Sequence, residues 1–449
     1  MEIKKEFFNN MKSILNNEDF EKFCESFNDL AKRGLVVNNL KIDIQNFIKN
    51  LEMPLVSLPY GEDCFILNSD EKVGDKILHH AGAFYMQEPS AMVAGKILPL
   101  KEGDIVLDIC ASPGGKTFQI AKRLENGIVF ANEINFERAK VLQSNIERLG
   151  LNNVVVTNFS SKELTDFYIN RFDAVLVDAP CSGEGMMRKE KKAVNQWTGS
   201  LTDDCVKMQR EIIDNVDKLL KENGYIVYST CTYSPKENEQ MIKYIVDKGY
   251  EIQNIGGIEG STPGLSIKGY NTHLAKRFYP HSSFGEGQFV CLLQKKKEAE
   301  QTIRFKPLTM LRTSEIKLVN EFISAYTTAE FAKLISNNLI VRDNVIYYCP
   351  NVKMVCADKK VVNYGVRMGE IVKNRFEPNH NLFTSFGRYF KTIIELDEKN
   401  CFHYLKGNTL NVSQPNGWCV VSYLGCCVGG GKIVNGVLKN HYPKGLRLF

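Results

Sequence analysis

Two cysteines stand where short apolar runs give way to polar turns: Cys181 in FDAVLVDAPCSGEG and Cys231 in GYIVYSTCTYSPKENE. A cysteine near an apolar run is most often a small core hydrophobe, and a reactive one needs an electropositive, partly exposed setting. Here both turns are rich in Pro, Ser or Gly, Asp178 shares the first of them, and the loop ASPGGK supplies Lys116. Two thiols, an acid and a lysine suit one methyl-transfer problem in particular. Carbon 5 of cytosine is not nucleophilic in the intact ring, and a thiolate adding to carbon 6 turns it into an enamine-like nucleophile. An acid near ring nitrogen 3 offsets the charge that builds up there. After methylation a base must remove the carbon 5 proton before the thiol leaves, a step the second cysteine can assist.

These groups meet only if the chain folds so that the two runs become neighbouring strands, whose ends then lie about 5 Å apart. From about residue 103 short apolar runs alternate with amphipathic stretches, the pattern of a parallel α/β sheet. DIVLDIC (104–110) predicts a first strand, followed by the turn ASPGGK and a helix through Arg123; IVFANE (128–133) predicts a second. Ala139, Leu142, Ile146 and Leu149 give the next helix one apolar face. VVVTN, DAVLVD and YIVYST follow as strands, with a long helix carrying Val206, Ile212, Ile213, Val216, Leu219 and Leu220 before the last of them. QFVCLLQ (288–294) predicts a late strand.

The loop at the end of the first strand sits where open α/β sheets bind ligands. Gly114 and Gly115 allow a tight turn and close backbone approach, and Glu133 ends the second strand where an acid commonly holds ribose hydroxyls. Three ligands compete. The dinucleotide fingerprint G-x-G-x-x-G is absent. A P-loop comes closer through Gly115, Lys116 and Thr117, but has Cys110 where the motif needs glycine. S-adenosylmethionine needs no phosphate cradle and does use a ribose-binding acid, so it is favoured.

At 449 residues the chain exceeds a single core and implies two or three domains. Hydrophobic content of 43% and charged content of 24% are ordinary for a soluble protein, and a net charge of +5 decides little. The start MEIKKEFFNN lacks the apolar core of a signal peptide, and no apolar run approaches the ~18 residues of a membrane span, so a cytoplasmic protein is expected. Thirteen cysteines without a Cys-x-x-Cys pair argue against zinc or a disulfide framework; no metal is expected, and Cys24, Cys291 and Cys356 are expected in the core.

Taken together, DICASPGGKT, VDAPCSGEGMMRK, STCTYSPKENE and RFYPHSSFGEGQFV resemble the motif set of the NSUN (Sun/Nop) RNA 5-methylcytosine methyltransferases. The ending VKNRFEPNH…YLKGNTL…GKIVNGVLKNHYPKGLR resembles the RsmF-like bacterial branch, which carries a PUA-like RNA-binding module there. The resemblance implies a Rossmann-like class I methyltransferase sheet, an α/β fold, with an N-terminal appendage and that C-terminal module. It implies that Cys231 is the nucleophile and that Cys181 promotes release of the methylated RNA. Asp178 would bind the cytosine at nitrogen 3, with Lys116 in support. S-adenosylmethionine would lie against Cys110, Ala111, Ser112, Pro113, Gly114, Gly115, Lys116, Glu133 and Asp178. The family's adenine-contacting acid is replaced by Ser160 in the turn TNFSS, where the serine or Asn158 would take over that contact.

Four parts are expected: 1–80, an N-terminal RNA-binding appendage, mainly helical at first and then mixed; 81–296, the methyltransferase domain; 297–377, a charged linker (295–307) and an intermediate domain; and 378–449, the PUA-like module. From Lys399 to Phe449 there is no Asp or Glu but six Lys and Arg, among them Lys432, Lys439, Lys444 and Arg447, a one-signed surface suited to phosphates. Arg188 and Lys189, just past the Cys181 turn, form a second basic cluster with Lys191 and Lys192. His441 and Tyr442 are placed either to stack on bases or to pack. The expected partner is RNA, ribosomal RNA or a ribosomal subunit first, with the protein acting as a monomer away from membranes. The alternatives are an RNA-binding assembly factor without catalysis, a methyltransferase acting on tRNA, and a nucleotide hydrolase using GGKT.

Overall fold

Two amphipathic helices, Lys5–Ile14 and Asn17–Glu25, open the chain. An antiparallel sheet follows, built from β1 (Arg33–Val37), β2 (Leu55–Ser57), β3 (Cys64–Leu67) and β4 (Phe84–Gln87) in the order β2-β3-β1-β4. This computed structural model describes residues 3–68, 72–297 and 308–448. β4 carries the first sheet past residue 80, where the sequence reading ended the appendage, because its residues pair with β1 from Gly34 to Val37.

The central sheet holds β5 (Ile105–Asp108), β6 (Ile128–Asn132), β7 (Val154–Thr157), β8 (Phe172–Asp178), β9 (Leu220–Thr230), β10 (Tyr250–Gln253), β11 (Ser261–Pro263), β12 (Lys276–Phe278) and β13 (Gln288–Lys295). β7, β6, β5, β8 and β9 run parallel in that order, and β13 lies antiparallel beside β9. The β-branched runs predicted as strands are buried on both faces, as a sheet covered by helices requires. Val106 faces one apolar layer and Leu107 the other. Leu220, grouped with the long helix in the sequence reading, instead begins β9, because the helix stops at Leu219.

Helix ends follow local rules. Asn135 caps Phe136–Leu149 by accepting from the Arg138 amide, and Gly150, at φ 69°, ends it. Thr198 caps Gly199–Leu219, the helix between β8 and β9. The sheet order reverses at β5, whose neighbours are β6 on one side and β8 on the other, which puts the ligand crevice beyond Asp108 and Asp178.

Of the expected linker, residues 298–307 lie outside the described residues, while Lys295 closes β13. Further on come β14 (Leu339–Arg342), β15 (Val345–Tyr348), β16 (Val361–Asn363), β17 (Val366–Val372) and β18 (Arg375–Pro378). β14, β15, β17 and β18 form a small antiparallel sheet, whereas β16 leaves it to pair with β7 at the edge of the central sheet. The last sheet consists of β19 (Ile393–Glu395), β20 (Leu410–Asn411), β21 (Gly417–Tyr423), β22 (Cys426–Val434) and β23 (Val437–Asn440).

The first sheet is fastened to the central domain by polar contacts. The Lys122 Nζ donates to the Val37 carbonyl and pairs with Asp63, which also holds Lys96 at 2.6 Å. Burial opposes the Asp63 charge, but the two lysines outweigh it and hold the carboxyl down at about 2. A buried ion cluster of this kind fixes orientation more than it adds net stability.

Candidate active site

Asp108 and Asp178 end the adjacent strands β5 and β8, so their side chains enter the same crevice. Lys116, one residue into the helix Gly115–Ala121, reaches across and donates to Asp178 Oδ2 at 2.6 Å. Burial opposes the lysine's charge, yet Asp178 outweighs that cost and raises its pKa. Gly114, at φ 112°, makes the turn that aims the helix at this point. A Cβ on Gly115 would lie 2.7 Å from the Tyr85 ring of β4, so only glycine lets the first sheet close over the loop.

The two cysteine turns are drawn together by strand pairing. Asp178 lies opposite Ser229 in the β8–β9 register, and the Ala179 amide continues the ladder to the Ser229 carbonyl at 2.8 Å. The Gly185 amide donates to the Cys231 carbonyl at 2.8 Å, where a Cβ would come within 3.0 Å of that oxygen. The result is a distance of 3.4 Å between the Cys181 and Cys231 Sγ atoms, both free thiols. The hydrogen bond to Cys231 and burial push the Cys181 thiol well up, so it keeps its proton at neutral pH. The N-terminal helices support the turn from behind: Phe7, Met11 and Phe23 pack with Trp197, Tyr279 and Tyr233, two residues past Cys231.

A cleft of about 300 Å³ opens at this point. Its walls include Cys110, Ala111, Ser112, Pro113, Gly115, Lys116, Asp178 and Cys231. Cys181 is not part of that wall, but its sulfur meets the Cys231 sulfur that is. Residues that the sequence reading missed complete the wall: Tyr85, Gln87 and Glu88 from the first sheet and its exit, Met186 and Gln288, and Asp108. Asp108 had a readable signal, as the acid inside DIVLDIC; the residues from the first sheet had none. Burial, with the charge of Asp178, pushes the Asp108 carboxyl up to about 7. Thr117 donates to its Oδ2 at 2.6 Å, and its Oδ1 is buried without a hydrogen-bond partner among the described residues. That oxygen leaves an acceptor free for a ligand's donor group.

Several expected residues are placed otherwise. Glu133 is buried away from the cleft wall, its carboxylate accepting from the Asn135 amide at 2.9 Å and pairing with Arg138 at 3.4 Å. Asn158 donates to the carbonyls of Glu133 and Ile134, tying two strand exits together. Ser160 spends its hydroxyl on Glu163 in a capping box for the helix Ser161–Tyr168. The nucleotide-hydrolase alternative needed Lys116 and Thr117 for phosphate and metal, but these side chains are turned to Asp178 and Asp108. Cys291 and Cys356 lie in the core, whereas Cys24 is half-buried on its surface helix.

The basic residues divide in the same way. Arg188, expected on an RNA surface, is turned inward: its side chain is 5% exposed and pairs with Glu286 at 3.0 Å. It also donates to the carbonyls of Asp29 and Leu30, because Glu286 draws the guanidinium into the junction with the N-terminal loop. Lys189 is half-buried, and Lys191 and Lys192 are exposed. In the last sheet Lys432 and Lys439 are exposed and directly opposite each other across β22 and β23, with the Lys432 Nζ 5.6 Å from the Trp418 ring centre. Two like charges so placed repel unless an anion lies between them. Lys444 is exposed, and Arg447 is half-buried, donating to the Tyr442 carbonyl. His441 is exposed against Trp418, while Tyr442 is buried beside His380 and Tyr404. Among the described residues no helix is long and apolar enough to cross a membrane, and no cluster of three or more His, Cys, Asp or Glu is arranged to hold a metal.

Family models match four successive stretches of the chain. Residues 3–89 match the N-terminal domain of 16S rRNA methyltransferase RsmF, and 95–294 match 16S rRNA methyltransferase RsmB/F. Residues 321–386 match the RsmF first C-terminal domain, and 391–448 the RsmF PUA domain. The chain is 30% identical to ribosomal RNA small subunit methyltransferase F of Vibrio parahaemolyticus, over 96% of this chain and 94% of the relative. The protein of the same name from Vibrio vulnificus is 29% identical, over 97% and 94%. Among solved structures, a methyltransferase homolog from Pyrococcus horikoshii is 28% identical with a TM-score of 0.55, covering 63% of this chain and 92% of that one. NSun6 from the same organism, at 23% identity and a TM-score of 0.57, covers 66% of this chain and 99% of its own, and shares the fold. With likeness running through all four parts, this chain belongs to the RsmF family of ribosomal RNA small subunit methyltransferases, enzymes of the S-adenosylmethionine-dependent, RNA-modifying kind.

Proposed function

We propose that this protein methylates carbon 5 of cytosine in ribosomal RNA, 16S rRNA by the name its relatives carry, through a covalent cysteine–cytosine intermediate. The observation that carries the reading is the pair of free thiols 3.4 Å apart, of which Cys231 lines the cleft together with the Lys116–Asp178 pair. S-adenosylmethionine supplies an electrophilic methyl group. Cys110, Ala111, Ser112, Pro113, Gly115 and Lys116 of the loop would hold it, and the unpartnered oxygen of Asp108 would accept from one of its donor groups.

The two sulfurs divide the work. Cys231 lines the cleft and attacks carbon 6, forming the C–S bond as electrons shift toward nitrogen 3. Cys181, whose thiol keeps its proton, stands 3.4 Å from the Cys231 sulfur as a hydrogen-bond partner for it. As negative charge develops, nitrogen 3 takes up through solvent the proton that the Cys231 thiol gives up, and Asp178, oriented by Lys116, accepts the hydrogen bond of that N–H. Once carbon 5 carries its methyl group, a base from solvent takes the carbon 5 proton, the C–H electrons re-form the ring double bond, and the C–S bond breaks to leave the Cys231 thiolate, to which the Cys181 thiol donates a hydrogen bond. The cytosine must leave its stack to reach the cleft, so a single-stranded or loop segment is the easier substrate.

The test is to incubate the full chain with methyl-labelled S-adenosylmethionine and either deproteinised 16S rRNA or small subunits, then digest to nucleosides. Label in 5-methylcytosine is expected. Label in any other nucleoside, or RNA binding with no incorporation, overturns the reading.

The exposed Lys432 and Lys439 are assigned to the RNA backbone. Replacing both by alanine is expected to weaken RNA binding alike across sequences and to lower the slope of log K against log salt by roughly 1.5. Titrations at several salt concentrations check this, and an unchanged slope removes these lysines from the interface.

A further inference from the structure

The turns that carry the two cysteines are joined behind the sulfurs by a row of buried oxygens. Ser182 follows Cys181 and Thr232 follows Cys231, and their hydroxyl oxygens lie 2.8 Å apart. At one end the Ser182 Oγ is 2.5 Å from Glu237 Oε1; at the other the Thr232 Oγ1 is 2.9 Å from Glu184 Oε2. All four residues are buried.

Counting hydrogens decides the state of this row. Three oxygen–oxygen contacts each need one hydrogen, and the two hydroxyls supply two. The nearby Ser234 amide, 3.3 Å from Thr232 Oγ1, points at an oxygen and fills none of the three gaps. With both carboxylates ionised, one contact would press lone pairs together at hydrogen-bond distance, an arrangement that low-dielectric surroundings penalise heavily. A third hydrogen must come from a carboxyl group.

The surroundings say which one. Burial pushes the Glu184 carboxyl up, but both its oxygens accept hydrogen bonds, from Thr232 and the Tyr233 amide at 3.0 Å on one and from Trp197 Nε1 at 2.9 Å on the other, and these donors, with the Arg277 charge, act against that rise. Glu237 accepts from the Ser182 amide at 3.0 Å and from Gln209 at 2.9 Å, both on Oε2, which leaves Oε1 facing only the Ser182 hydroxyl. The titratable groups facing Glu237 are Glu184 and Cys181 from the first cysteine turn, Cys205 from the long helix, and Tyr228 from β9; none carries positive charge. Burial accordingly pushes the Glu237 carboxyl up to about 7.

We propose that Glu237 carries a proton in the resting enzyme, so that Glu237, Ser182, Thr232 and Glu184 form one hydrogen-bonded wire that positions the two thiols. The wire runs in one direction: Glu237 donates to Ser182, Ser182 to Thr232, and Thr232 to Glu184. Glu237 and Glu184 are positioning residues, and each anchors a turn through the residue next to a cysteine. The role at the thiols rests on the cytosine chemistry proposed above; the proton itself does not. A raised pKa means that the wire is complete below about 7 and loses a hydrogen as pH rises through that value, which loosens the turns.

The variant that mimics the protonated acid is Glu237→Gln, whose amide nitrogen donates to Ser182 while its carbonyl accepts from the Ser182 amide and Gln209. We expect its turnover at about pH 6.5 to stay within about threefold of the parent, and its rate at about pH 8.5 relative to that at 6.5 to rise at least about threefold over the parent's ratio. Glu237→Ala should lose roughly tenfold or more at both. Infrared difference spectra of the full chain read the proton without any reaction. A protonated-carboxyl band at about pH 6 should vanish in Glu237→Gln, survive in Asp108→Asn, and shift in Ser182→Ala as the acid loses its acceptor. A parent spectrum lacking a band that Glu237→Gln removes, or a Glu237→Gln pH profile superimposable on the parent's, overturns the proposal. The band present in a protein that puts no label into 5-methylcytosine would strike the cytosine chemistry and support the wire.

Discussion

Cys231→Ala is expected to abolish methylation, lowering turnover at least about a thousandfold, a barrier increase on the order of 4 kcal/mol. The loss follows from the ring chemistry: without a sulfur on carbon 6, carbon 5 has no electron pair to offer the methyl group. The substitution removes one partly exposed atom group beside the cleft, so affinities for RNA and S-adenosylmethionine should stay within a few fold and the protein should remain folded. Single-turnover assays with labelled cofactor, alongside binding titrations, check this. Cys231→Ser is the sharper comparison, since it keeps the shape and substitutes a poorer nucleophile. Retained methylation in either variant would remove Cys231 from the nucleophile's role.

Cys181→Ala is expected to behave differently. Attack and methylation proceed, but the step that frees the product is impaired, so one equivalent of methyl group is transferred and the enzyme stays bonded to RNA. Turnover after that first equivalent should fall by roughly a hundredfold, as the loss of a positioned acid–base group implies. A denaturing gel should show protein shifted by covalently attached RNA, and the shift should disappear in the double variant lacking both thiols. If the adduct forms instead with Cys231→Ala, the two roles are reversed. The 3.4 Å contact makes these substitutions interdependent, so their effects should not add.

Much of the site was legible in short windows of sequence. DIVLDIC and YIVYST announce strands by their β-branched and aromatic runs, and ASPGGK announces its turn by glycines that tolerate positive φ; both signals come from neighbours along the chain. The resemblance brought the two cysteines, Asp178 and Lys116 into one scheme, and the β8–β9 pairing sets the cysteine turns side by side. What escaped was every contact whose partner lies far away in the chain. Tyr85, Gln87 and Glu88 reach the cleft from another sheet, and Glu88 accepts from the Glu286 amide 198 residues on. No local pattern encodes such a meeting.

The side chains that lie off the cleft wall or turn inward share that cause. Arg188 looked like a surface charge because its sequence neighbours are basic, but Glu286 draws it inward. Glu133 and Ser160 were assigned by position after a strand, and their oxygens found closer partners in Asn135, Arg138 and Glu163. β16 was unreadable as a neighbour of β7 because a strand's edge accepts any extended segment that reaches it. By itself the sequence determined which groups this protein has for chemistry and which strand ends carry them, since periodicity and turn geometry are short-range effects. Only the tertiary structure decided which of those groups face the cleft and which face one another, because a polar side chain takes the nearest partner in space, and that partner is set by the packing of sheets from distant parts of the chain.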